Sequence, residues 1–136
     1  MASKQIKRIF LLISIILFAA SLTQKSYCTT GSCSDSIAVF IFGVFGLLYP
    51  GVNWTWLANP LLLGAWIFIF RNPKISLLLS FISTFLAAIF LMFGEILENE
   101  NGQYMQIIAY KAGYWLWLTS HTCILLSHLI SRRLGN

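Results

Sequence analysis

From Ser36 to Phe70 the chain runs for 35 residues without one Asp, Glu, Lys or Arg. A single straight helix of that length would reach about 52 Å at roughly 1.5 Å per residue. The hydrocarbon core of a bilayer is only about 30 Å thick. Pro50-Gly51, Asn53 and Asn59-Pro60 interrupt the run. Two readings follow. Either 37–49 and 56–70 both cross a membrane, or 37–49 is a re-entrant or interfacial piece and only the second half crosses.

Composition supports the membrane. The chain has 136 residues, the size of one domain, with 58% hydrophobic and 10% charged residues. A soluble domain carries about 25% charged residues. Eleven Phe, five Trp and five Tyr add more apolar surface than so small an interior can hide. The expected first partner is therefore the lipid bilayer. The net charge of +5 does not point to nucleic acid. Its cations form short clusters at the ends of apolar runs, where membrane topology places them.

Four runs qualify as spans: about 9–25, 54–70, 75–94 and 107–130. The first carries basic residues, an apolar stretch and Ala19-Ala20-Ser21, which are also the ingredients of a cleaved signal peptide. A retained anchor is preferred. Ser76, Ser80, Ser83 and Thr84 recur at steps that suit a helix–helix contact. Trp115 and Trp117 sit where an aromatic belt would.

Charge then sets the topology. With four spans and the N-terminus inside, Lys4, Lys7, Arg8, Arg71, Lys74, Arg132 and Arg133 are all inside. Lys25, Lys111, Asp35, Glu95, Glu98 and Glu100 are outside. Five spans would export four of those inner cations, against the positive-inside rule. The expected fold is all-α: a single polytopic domain over 1–136, four transmembrane helices, and a non-spanning element over about 36–50. Both termini are expected on the inner face of the membrane.

Cys28 and Cys33 flank a Gly-containing loop on the outer side. A disulfide is expected there, with free thiols or a metal pair as the alternatives. Asn53, Thr55, Asn59, Tyr114, Trp117 and His121 form a candidate polar cleft. Tyr110, Tyr114, Trp117, His121 and Ile124 follow helical steps, as core packing or as a cleft wall. His121 and His128 are too far apart along one helix, about 10.5 Å, to share a metal. Hydrogen bonding to a neighbouring helix is the plainer reading, and a cofactor or proton role the sharper one. Asp35, Glu95, Glu98 and Glu100 make either a solvated rim or a docking rim for a partner. No phosphate loop, zinc motif or nucleophile elbow is present, so no catalytic residue, metal ligand or cofactor is assigned.

Two stretches, Trp56-Leu57-Ala58-Asn59-Pro60-Leu61-Leu62-Leu63 and Gly113-Tyr114-Trp115-Leu116-Trp117-Leu118, resemble signatures of small multi-pass bacterial inner-membrane proteins. The resemblance covers residues 50–135. It implies the compartment and no activity.

The expected function is that of a non-enzymatic integral membrane protein that binds a membrane or periplasmic protein: a complex subunit, a scaffold or a toxin-immunity protein. The alternatives are a small oligomeric channel or transporter, homo-oligomerisation included, and a membrane redox or cofactor-binding protein.

Overall fold

The computed structural model describes residues 2–97 and 101–135. Five α-helices carry most of the chain: α1 (Ala2–Leu22), α2 (Ser36–Phe42), α3 (Ala58–Arg71), α4 (Pro73–Ile89) and α5 (Ala112–Leu134). Four short strands accompany them: β1 (Lys25–Thr29), β2 (Cys33–Asp35), β3 (Glu95–Leu97) and β4 (Tyr104–Tyr110).

The expectation of an all-helical chain is corrected here. The strands form one antiparallel sheet in the order β2-β1-β4-β3. It joins the segment after α1 to the segment before α5. The last helix accordingly starts at Ala112 and not at 107. Residues 107–110 read as the start of an apolar span, but Ile and Tyr suit a pleated surface. The alternation of more and less exposed side chains along β4 is that of a strand. Tyr110 therefore belongs to β4, and the helical stripe begins at Tyr114.

Three helical runs are long and apolar enough to cross a membrane: Ala2–Leu22, Val52–Arg71 and Pro73–Met92. The helix α5 has the length, but not that degree of apolarity. Its polar side chains point inward. Ser120, His121, Ser127 and His128 are all buried. Packing with α1 and α4 explains how a helix with these residues is accommodated. Ser14 Oγ donates to Ser120 O at 2.8 Å, and Trp66 Nε1 donates to Ser14 Oγ at 3.0 Å. Ser76 Oγ donates to Ala65 O at 2.7 Å and meets His128 Nε2 at 2.8 Å. The serine has one hydrogen, so His128 is the donor in the second contact.

The α3–α4 corner is set locally. Asn72 Oδ1 accepts from Ile75 N at 3.3 Å, and Pro73 opens α4 where a missing N–H costs nothing. At the same end Ser131 Oγ donates to Ser3 O, which brings the start of α1 to the end of α5. Lys4, Lys7, Arg8, Arg71, Lys74, Arg132 and Arg133 are thus gathered at one end of the bundle. The sheet lies at the other.

Residues 36–57 stay at the sheet end. After α2 come two 3₁₀ segments, Gly43–Leu48 and Val52–Leu57. Gly51 between them has φ +102°, which allows the reversal that an L side chain resists. Two indoles pin the cap together: Trp54 Nε1 donates to Leu47 O at 3.1 Å, and Trp56 Nε1 to Phe40 O at 2.9 Å. Ile41, Phe42, Phe45 and Leu48 are exposed on its outer surface.

Candidate functional site

Under this cap lies a chamber of about 580 Å³. It separates two apolar clusters. One, around Phe18, Leu62, Ala65, Ile69 and Ile124, fills the bundle. The other, around Tyr27, Val52, Phe90, Ile96 and Tyr114, ties the sheet to the helices. Strands β1, β2 and β3, helix α2 and both 3₁₀ segments contribute to the wall.

Of the six residues of the predicted cleft, Asn53, Thr55, Asn59, Tyr114 and Trp117 line this chamber. Most of their polar atoms are committed. Thr55 Oγ1 donates to Val52 O at 2.6 Å, and Tyr114 OH donates to Ala87 O at 2.8 Å. Trp117 Nε1 donates to Asn59 Oδ1 at 2.7 Å. An indole can only donate, so this bond fixes which end of the Asn59 amide is oxygen. The amide nitrogen, with two donors, makes no hydrogen bond among the described residues; it is not one of the fully buried unpartnered atoms and keeps some accessible surface, although Asn59 as a whole is only 5% exposed.

His121 lies one turn below Trp117 and is outside the lining. Its Nδ1 is 2.7 Å from Trp117 O, and its Nε2 is 3.3 Å from Ala58 O. A carbonyl only accepts, so the shorter contact places the proton on Nδ1. The ring also packs edge-on against Trp117, with centroids 4.7 Å apart. The imidazole is held between two helices.

The four acids of the predicted rim are not gathered into one patch by the described residues. Asp35 is on β2 and Glu95 on β3, at opposite edges of the sheet. Three strand spacings of about 4.8 Å separate those edges. Asp35 at the chamber margin is paired to Lys25 at 2.6 Å. Glu98 and Glu100 lie outside the described residues.

Cys28 and Cys33 face each other across β1 and β2 and are joined as a disulfide. The hairpin they close packs on β4, so the bridge stiffens the wall that carries Ser26 and Tyr27. Below it, Tyr110 OH donates to Phe93 O at 3.2 Å, and burial raises its phenol above the ordinary tyrosine value.

Ser36, Phe18, Phe40, Phe90 and Gly113 are wall residues that sequence reasoning did not single out. Gly113 had one usable signal, its place at the start of the last helix. A Cβ there would meet Ser36 Oγ and lie 2.6 Å from Lys25 O. Ser36 Oγ is itself buried without a hydrogen-bond partner.

Comparison with protein-family models, with curated proteins and with solved structures finds no match to this chain.

Proposed function

We propose that this chain is a four-span protein of a bacterial inner membrane that works by binding, and that the chamber beneath the cap is where it binds. The observation that carries the reading is the chamber itself. Its wall is built from five distant parts of the chain, and it presents the unmet donors of Asn59. Pockets of about 300–1,000 Å³ suit small organic ligands, and the volume falls in that range.

The orientation is part of the proposal. Three apolar helical runs together with α5 make four crossings. Seven cations at one end favour a cytoplasmic face there, with both termini on it. The disulfide at the other end suits an oxidising periplasm. The cap then lies in the outer leaflet, its exposed Phe42 and Phe45 toward lipid.

Single cysteines introduced at Lys74 and Thr30, in a chain with Cys123 replaced, test the topology. The expected result is that a membrane-impermeant maleimide labels position 30 in intact cells and position 74 only after lysis. Labelling of both from outside defeats the four-span arrangement. Binding is tested by extracting purified protein for small molecules; a stoichiometric bound molecule, displaced when the chamber is filled by Ala38→Trp, is expected.

A second reading keeps a protein partner at the same end. β2 and β3 are the edge strands of the sheet, and an edge can accept a further strand. A stoichiometric protein that co-purifies from native membranes, and is lost when β3 carries a proline, would favour it.

A further inference from the structure

We infer that the chamber takes an uncharged, lipid-soluble molecule with a flat ring head bearing a carbonyl oxygen. This rests on the chamber being a binding site, as proposed above.

The polar requirement comes from Asn59. Its oxygen is held by Trp117, so its nitrogen faces the chamber as a double donor without an acceptor. A ligand that fills the chamber shuts this nitrogen off, and a donor left unpaired there costs about 1–3 kcal/mol. A ligand oxygen that accepts from it removes that cost. The hydroxyl of Ser36, buried and unpartnered, lines the same chamber.

The charge requirement comes from the lining. Among the described residues Asp35 is the only charged one in the lining, and Lys25 already pairs it. An anionic head would find no free cation there. A cationic head could face the aromatic rings, but it would leave the Asn59 donors unmet. A neutral acceptor meets both conditions.

The shape requirement comes from the rings. Phe18, Phe40, Trp56, Phe90, Tyr114 and Trp117 all line the chamber. Several already meet one another at aromatic packing distances. Phe90 and Tyr114 are 5.6 Å apart, and Tyr114 and Trp117 are 5.8 Å apart. A flat ring extends that stack, and offset or edge contacts are its preferred geometries. Access is lateral: the lining residues Phe42 and Phe45 are 64% and 66% exposed, so the chamber reaches the surface between apolar rings. A molecule dissolved in the outer leaflet arrives there without crossing water.

The test uses the full chain purified in detergent. Three probes with similar alkyl tails are compared by equilibrium dialysis: decylubiquinone, with a neutral carbonyl-bearing ring; dodecyltrimethylammonium, a cation; and laurate, an anion. Decylubiquinone is expected to bind about tenfold or more tighter than the other two, the equivalent of one good hydrogen bond. Asn59→Asp keeps an oxygen for Trp117 while replacing the free donors by a carboxylate, at a cost in stability because no free cation faces it. It is expected to weaken decylubiquinone by about tenfold while dodecyltrimethylammonium binds no more weakly, whereas a misfolded variant would lose both. Equal binding of all three probes, or insensitivity to Asn59→Asp, overturns the ligand class. If Ala38→Trp still displaces a bound molecule in that case, the binding site stands and only its ligand was misassigned. If no probe binds and the purified protein carries no molecule that Ala38→Trp removes, the binding reading itself falls.

Discussion

Trp117 donates its indole N–H to Asn59 Oδ1 at 2.7 Å, tying the second turn of α5 to the first turn of α3. One contact does two things. It closes the floor of the chamber, and it turns the amide nitrogen of Asn59 toward whatever the chamber holds.

Asn59→Leu leaves the Trp117 N–H buried and unmet, a cost of about 1–3 kcal/mol. Thermal unfolding in detergent should show a clear fall for Asn59→Leu, and Asn59→Leu with Trp117→Phe should cost less than the two single changes summed, because no N–H is then stranded. Additive falls would mean that the indole bond contributes nothing to stability.

Gly113→Ala should destabilise by about 1–3 kcal/mol, the usual range for overpacking. A Cβ would press on Ser36 Oγ and on the Lys25 carbonyl. Adding Ser36→Ala should recover only part of the loss, because the Lys25 contact is backbone. Full recovery in the double variant would show that the sheet can shift away from α5.

Ser76→Ala removes a hydroxyl that bridges three helices, from Ala65 on α3 through α4 to His128 on α5. Side-chain hydrogen bonds between membrane helices contribute about 0.6 kcal/mol on average and up to about 1.7. The upper part of that range is expected, since one change empties two contacts. Unfolding titrations in mixed micelles would measure it, and a neutral result would remove the bridge from the account.

Reducing the Cys28–Cys33 bridge should cost about 2 kcal/mol, because chain-entropy estimates for a closed ring this short are small. The hairpin is also held through β4, so the bundle should stay folded. Ligand retention with and without reductant, beside a Cys28→Ser/Cys33→Ser variant, tests this. Loss of all helical structure on reduction would contradict it.

Much of the helical part was legible, and for a local reason. Runs such as Ile75–Gly94 declare themselves by length and apolarity alone. Asn53, Thr55 and Asn59 stood out because polar side chains are conspicuous in an uncharged run. What escaped depends on pairing across long sequence distances. Tyr27 meets Tyr110 only when two loops form one sheet, and nothing near either residue announces the other. The expected last span takes in residues 107–110 of β4 because their apolar content runs on into α5. Phe18 and Phe90 sit inside apolar runs, where nothing local distinguishes a chamber wall from any other apolar position.

The sheet also orders events during synthesis. Its β1–β2 half leaves the ribosome early, directly after α1. The strand that extends it, β4, is made only after α3 and α4. The polar-sided α5 follows at once. The β1–β2 hairpin is therefore made before α3 and α4, and the final strand and the final helix are made together. Gly113, Tyr114 and Trp117 are consequently the last wall residues to be made, and a nascent chain stalled before Tyr104 has the rest of the lining but not the side that closes it.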